Sequence, residues 1–236
     1  RGVGAFGLTQ GVGFHVDGVQ IYKGDASSRF GDIERIEILK GPQGTMYGGS
    51  NIGGAIKYVT KRPSADGFEG RVKFLSGEQG ITDGEVSLNV PIDDNWAMRV
   101  FAYSRTDDGF MTNPNSPSPV FGLVSNNPKN ITEYEENAIR LSLSGDLTDN
   151  FSIYATARYS DYDGPANNWS RELINGTANA NTGQVPDGMK YSKVLDANNL
   201  PIHKRDTVGA SLEMTWEFDN FDLMSITSYS DTDSQR

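Results

Sequence analysis

The sequence predicts an all-β chain in two parts: a glycine-laced, turn-rich unit over residues 1–65, then a run of antiparallel hairpins over 66–236. Three observations carry this. Glycine is split unevenly, with 14 of the 27 falling before residue 65. Beyond that point apolar and polar residues alternate with a period of two, the period at which successive side chains leave opposite faces of a strand. The connections between the alternating stretches are short and long in turn, as in a meander whose two ends differ.

Composition narrows the class. A length of 236 residues fits one or two domains. A net charge of −10 argues against a nucleic-acid partner, because phosphate binding requires a basic surface. Without cysteine there are neither disulfides nor thiolate metal sites. No stretch of about 18 apolar residues is present, which excludes a membrane-spanning helix but not spanning strands of about 10 residues each. The chain opens on Arg1-Gly2-Val3-Gly4 and carries no apolar signal-peptide core, so an exported protein would begin upstream of it.

In the first unit, residues 1–11 read as a loop with strand edges. Val12, Phe14 and Val16 alternate with Gly13 and His15 in a short strand that ends in the turn Asp17-Gly18, and Val19–Tyr22 continues the hairpin. Lys23–Phe30 is a polar loop. Asp32 is a fair N-cap, so Ile33–Leu39 is expected to start as a helical turn and become a strand. Gly41-Pro42, Gly44, Gly48-Gly49 and Gly53-Gly54 then fold the chain back into the strand Ala55–Thr60.

In the second unit the alternation is clean at Val86, Leu88, Val90 and Ile92; at Ile139, Leu141 and Leu143; at Phe151, Ile153, Ala155, Ala157 and Tyr159; and at Val208, Ala210, Leu212, Met214, Trp216 and Phe218. Residues 68–76, 96–106 and 221–231 are further strands with apolar residues on both faces. Tight turns are expected at 93–95, 148–150 and 219–220. The intervening connections at 77–83, 107–136 and 163–205 run to about 7, 30 and 40 residues. This parity is that of an outer-membrane barrel, with tight periplasmic turns and long extracellular loops. The apolar set would then face lipid and the Ser, Thr, Glu and Arg set the lumen, with Trp96, Tyr159, Trp216 and Phe218 near the interfaces. Periodicity alone leaves open a soluble sandwich with the same apolar face turned to a core, acting through long binding loops.

The run ERIEILKGPQGTMYGGSNIGGAIKYVTKRP over 34–63 is similar to the C-terminal plug signature of TonB-dependent outer-membrane receptors, and GFHVDGVQIY over 13–22 resembles the plug strand and turn before it. Gly49-Ser50 departs from the family, which often has an arginine or other polar residue there. The resemblance implies the C-terminal part of a plug domain at 1–65, followed by antiparallel meander strands of an incomplete outer-membrane β-barrel at 66–236. About seven strands are legible, fewer than the family's barrel has, so the chain is expected to be an internal fragment. The implied function is TonB-energised import across the Gram-negative outer membrane of a scarce large ligand, a ferric siderophore foremost, with cobalamin, carbohydrate and metal open. The implied partners are that ligand, the TonB complex acting through a coupling segment outside this chain, and outer-membrane lipid. No reaction and no cofactor are implied.

The resemblance also places candidate residues. The loop before the DIERIEILKGP strand sits at the plug apex in the family, which implicates Tyr22, Lys23, Asp25 and Arg29. Arg1 and Gln10, beside Phe6, match a second apical segment. In the long loops Phe110, Phe121, Tyr134, Trp169 and Tyr191 offer aromatic surface for an amphiphilic ligand. Basic residues around the KGP turn hold the plug to the wall in the family, so Lys40, Arg35 and Arg62 are expected to meet inward acids such as Glu85, Glu213 and Glu217.

Other chemistries find little support. Gly48–Gly54 lacks the Gly-Lys-Ser/Thr of a phosphate loop. His15 and His203 are the two histidines and lie far apart, which disfavours both a catalytic triad and a histidine metal site. Asp161 with Asp163, and Asp231 with Asp233, are spaced like calcium ligands but lack the loop glycine and distal glutamate. No catalytic and no metal-ligating residues are therefore assigned.

Overall fold

A computed structural model describes residues 11–21, 31–47, 51–109, 132–165 and 202–235. They form two sheets. The smaller holds β1 (Val12–Val16), β2 (Val19–Ile21), β3 (Ile33–Lys40) and β4 (Gly54–Thr60) in the order β2-β1-β4-β3. The larger holds β5 (Glu69–Ser76), β6 (Thr82–Pro91), β7 (Trp96–Asp107), β8 (Tyr134–Thr148), β9 (Phe151–Pro165), β10 (Ile202–Phe218) and β11 (Phe221–Gln235) as an uninterrupted antiparallel meander.

The small sheet is mixed. β1 and β2 close through Asp17-Gly18, with Val16 opposite Val19 and both turn residues at positive φ, 49° and 83°. That is the two-residue hairpin whose twist matches its strands. β1 lies parallel to β4, and β3 pairs antiparallel on the far side of β4. Gly54 sits at φ 140°, and a Cβ there would come within 2.3 Å of the Leu39 carbonyl oxygen, so glycine is required where β4 starts beside the end of β3. The expected helical turn after Asp32 is absent. Ile33–Lys40 is a strand from its first residue, because Asp32 adopts φ 56° and turns its carboxylate to the large sheet instead of capping a helix. Among the described residues of this part, Gly44–Tyr47 is the helical turn, beyond the Gly41-Pro42 corner.

In the large sheet the tight connections fall where the sequence places them, at 92–95, 149–150 and 219–220. Strands β8 to β11 have 15, 15, 17 and 15 residues. At about 3.3 Å per residue each is roughly 50 Å long, enough to cross an apolar band of about 25 Å at a tilt and project beyond it. The register puts Val86, Leu88, Val100, Leu141, Leu143, Ala155, Leu212 and Met214 on one face. That face stays largely uncovered: Ile139, Leu141, Val208 and Leu212 are all exposed. An uncovered apolar face of this size belongs against lipid and removes the sandwich alternative. At its tight-turn end Phe151, Trp216, Phe218 and Phe221 stack in sequence, with ring centroids 5.1, 5.6 and 4.7 Å apart, as interfacial aromatics do.

The other face carries the polar set and receives the small sheet. Here the two-sided apolar character of 96–106 finds its cause. Phe101 and Tyr103 point inward and are buried, while Met98 and Val100 point out. Gly31 rests on the Phe101 ring so closely that a Cβ would fall 1.9 Å from its Cζ.

Candidate functional site

Cross-strand registers divide the inner face of the large sheet into rungs. From the long-connection end, the first joins Asp83, Arg105, Glu136, Tyr162 and Arg205, and the second Lys73, Glu85, Tyr103 and Thr207. The third joins Arg71, Ser87, Phe101, Arg140, Arg158 and Gly209; the fourth Glu69, Asn89, Arg99, Ser142 and Thr156; the fifth Ala97, Ser144, Tyr154 and Glu213. The small sheet touches the third, fourth and fifth.

Among the described residues, the most buried ion pair between the two sheets joins Arg99 and Asp32. Arg99 donates from Nε and Nη2 to the two carboxylate oxygens of Asp32 at 2.6 and 2.7 Å, with both side chains under 8% exposed. Arg140 adds Nη2 to the Gly31 and Asp32 carbonyls, each at 3.3 Å, and approaches Asp32 Oδ2 at 3.5 Å. Asp32 immediately precedes β3 and Lys61 N–H binds its carbonyl at 3.0 Å, so one residue ties the start of β3, the end of β4 and the wall. Its left-handed backbone is a strained state held in place by these partners.

A second contact has the opposite polarity. Arg62, just beyond β4, places Nη2 2.8 Å from both oxygens of Glu213 and lies over the Tyr154 ring, 4.4 Å from its centroid. Beside it Thr60 donates its N–H and hydroxyl to the Asp17 carboxylate at 2.9 and 2.6 Å. The Thr60 hydrogen is thereby used, so the buried Tyr154 hydroxyl, 3.0 Å away, is the donor to Thr60 Oγ1. Asn89 fastens the crossover between the sheets, accepting from Ser64 N–H at 2.9 Å and donating to the Ser64 and Gly67 carbonyls at 2.8 Å.

At the long-connection end the first rung is aromatic and cationic. Arg105 lies over Tyr134 at 5.4 Å, Tyr134 stacks on Tyr162 at 6.1 Å, and Arg205 lies over Tyr162 at 5.6 Å. Asp83 and Asp107 stand 4.0 and 3.9 Å from Arg105.

The sequence candidates fall unevenly on this geometry. Arg62 meets the wall through Glu213. Arg35 does not: it is exposed and pairs along its own strand with Glu34 at 2.9 Å and Glu37 at 2.8 Å, because β3 is the edge strand of the small sheet. That neighbour holds the Glu37 carboxyl below the usual carboxylate range. Lys40 is exposed at the end of β3, and no ion pair among the described residues includes it. Glu85 pairs with Lys73 of the wall itself at 3.0 Å, and Glu217 sits exposed at the tight-turn end of β10. Tyr134, expected in a long loop, is instead the first residue of β8, where it pairs with Asp107 and stacks on Tyr162 of the first rung. Arg1, Gln10, Tyr22, Lys23, Asp25, Arg29, Phe110, Phe121, Trp169 and Tyr191 lie outside the described residues. The sequence reading missed Asp32, Arg99 and Arg140. The available signal was an arginine at an inward position of two neighbouring strands.

Comparison with known proteins agrees with this architecture. Residues 1–55 match the family model described as the TonB-dependent Receptor Plug Domain. The pesticin receptor of Yersinia pestis is 32% identical over 112 residues, covering 47% of this chain and 16% of that protein. The vitamin B12 transporter BtuB of Vibrio vulnificus is 28% identical over 204 residues, covering 82% of this chain and 31% of that protein. Among solved structures, the ferric yersiniabactin uptake receptor FyuA of Yersinia pestis shares the fold at a TM-score of 0.74 and 20% identity, over 94% of this chain and 32% of the receptor. The chain thus spans about a third or less of the length of the proteins it matches. With the plug-domain model matching residues 1–55 and the fold of FyuA shared over 94% of the chain, this sheet seated on the polar face of a meander is similar to the plug-and-wall portion of a TonB-dependent receptor.

Proposed function

We propose that the chain is the plug-to-barrel portion of an active outer-membrane importer, with residues 1–65 the C-terminal part of the plug and 66–236 the first barrel strands. The cargo is a scarce large ligand, a ferric siderophore foremost. It is held from outside by plug-apex residues Tyr22, Lys23, Asp25 and Arg29, with Arg1 and Gln10, by the aromatics Phe110, Phe121, Trp169 and Tyr191, and by Tyr134 at the start of β8. The TonB complex supplies energy from the periplasmic side. The chain performs no reaction on the cargo.

The observation that carries this reading is the seat of the small sheet. Two ion pairs of opposite polarity, Asp32 with Arg99 and Arg62 with Glu213, hold it against a polar wall. Ion pairs of this kind add little net stability over an apolar contact but fix one register, and they can re-form after displacement. An apolar seat of the same area would give a permanent core. Relatives named for ferric yersiniabactin uptake and vitamin B12 transport support the class without fixing the cargo.

The test is uptake. The full open reading frame is expressed in a Gram-negative strain deleted for its own siderophore receptors and supplied with radiolabelled ferric siderophores. Accumulation of at least one chelate that stops on deletion of the TonB complex is the expected result. Accumulation that persists without that complex, or no accumulation of any iron chelate, cobalamin or oligosaccharide offered, overturns the reading.

A further inference from the structure

We infer that Arg99 is a two-position switch: it holds Asp32 while the small sheet is seated, and it turns to Glu69 of the wall when that sheet is withdrawn. The inference rests on the importer reading above and adds the device that lets a buried ionic seat open.

Four charges form the seat at this end, two from each part. The small sheet brings Asp32 and Lys61, which are tied to each other because the Lys61 N–H donates to the Asp32 carbonyl at 3.0 Å. The wall brings Arg99 and Glu69, which share the fourth rung with Asn89 between them. The pairs cross from one part to the other. Arg99 gives Nε and Nη2 to Asp32, and Lys61 Nζ donates to both oxygens of Glu69 at 2.7 Å. The third nitrogen of the Arg99 fork, Nη1, lies 3.7 Å from Glu69 Oε2, just beyond hydrogen-bonding distance. Asn89 does not intervene, because its short side chain is bound to Ser64 and Gly67 of the crossover.

This arrangement decides what withdrawal leaves behind. Asp32 and Lys61 sit at adjoining strand ends of one sheet, so a sheet that moves as a unit takes both. Arg99 then loses its carboxylate and Glu69 its ammonium in the same step. The two are left 3.7 Å apart, with about 1 Å to close for a charge-assisted hydrogen bond. A guanidinium left alone in the wall would oppose opening, because an unpaired buried charge is costly. The exchange of partners removes that obstacle, and the reverse exchange reseats the sheet. Deleting the Asp32 carboxylate alone does not operate the switch, since Lys61 still occupies Glu69. The other anchor has no such substitute: the cross-strand neighbours of Glu213 are Tyr154 and Ile226, neither of them a cation.

The experiment is amide hydrogen exchange of 54–60 in the detergent-solubilised full-length receptor. The sign of the effect separates two roles for Glu69. A residue that only held Lys61 would, once changed in E69Q, loosen the seat and speed exchange. A residue that receives Arg99 stabilises the withdrawn state more than the seated one, because the Lys61 pair it gives up is half exposed and worth little. The expected result is that E69Q slows exchange of 54–60 about tenfold, the loss of one charge-assisted hydrogen bond from the open state. E69D acts in the same direction, its carboxylate one methylene farther from Arg99 while the long Lys61 chain still reaches it, and it is read alone should E69Q fail to assemble. Uptake of the radiolabelled ferric siderophore that the parent accumulates falls severalfold at saturation in the variant, with KM unchanged. Exchange that is unchanged or faster overturns the switch and leaves the importer standing, since this arm uses neither cargo nor the TonB complex. Slowed exchange with uptake at the parent's rate overturns the switch as part of the gate.

Discussion

Asp32 and Arg99, 67 residues apart in sequence, meet through two hydrogen bonds of 2.6 and 2.7 Å with both side chains almost fully buried. One partner lies on the plug and the other on β7, the third wall strand, so the pair measures whether the two parts are seated. Replacing Asp32 with Ala leaves Arg99 with the more distant Glu69 carboxylate at 3.7 Å and takes the Asp32 carboxylate from Arg140. Breaking a buried pair from one side costs about 3–5 kcal/mol. We predict that Asp32→Ala speeds amide exchange of 54–60 in the detergent-solubilised receptor by two or more orders of magnitude, with strands β7–β9 unchanged. Equal exchange in parent and variant would refute the seat.

The Arg62–Glu213 pair is half exposed on its arginine side and should be worth less. A double-mutant cycle on Arg62→Met and Glu213→Gln, read by plug proteolysis, should give a coupling of about 1 kcal/mol. A coupling near zero would assign the Arg62 contribution to its stacking on Tyr154 instead.

Gly31 has no room for a methyl group over the Phe101 ring. Gly31→Ala should unseat the plug, and the double variant Gly31→Ala/Phe101→Leu should recover part of the loss by vacating that space. Recovery is measured as protection of Tyr154 and Thr60 from exchange. If the alanine variant is as protected as the parent, the close approach is not obligatory.

The Arg35 hydrogen bond lowers the pKa of Glu37 from its usual 4.5. A depressed folded-state value means the stabilisation is present above 4.5 and disappears as pH falls through the lowered value. Plug stability should therefore decline below about pH 4.5, and Glu37→Gln should flatten that decline. Both groups are surface-exposed, so 1 M salt should mute the difference. An identical acid profile in parent and variant would remove Glu37 from the account.

The two wall faces should respond oppositely to charge. Leu141 points outward and Ser142 inward. Leu141→Arg should destabilise barrel insertion into vesicles by about 2–4 kcal/mol, while Ser142→Arg perturbs plug seating and not insertion. Equal insertion defects would contradict the assigned faces.

The strands of the wall were legible because period-two patterning is local, and the tight turns because Asp-Asp-Asn and Asp-Asn are turn formers in any context. The residues that seat the plug were only partly legible. Arg62 followed from the resemblance, whereas Arg35 and Lys40 share its chemistry but end on an exposed strand. Asp32 resembles a helix cap in the sequence because carboxylates before an apolar run serve that role locally. The left-handed backbone and the two wall arginines that redirect it come from chain positions 67 and 108 residues away. Likewise the inward Phe101 blurred a strand whose second face has a partner that the strand itself does not name.

The parallel pairing of β1 with β4 has a mechanical result. Tension that enters the small sheet at the start of β1 and is resisted at the wall-anchored end of β4 runs along the ladder, loading its rungs in shear together instead of unzipping them one by one. A sheet stressed this way travels as a block before it frays, so the anchors to the wall should give way ahead of the sheet.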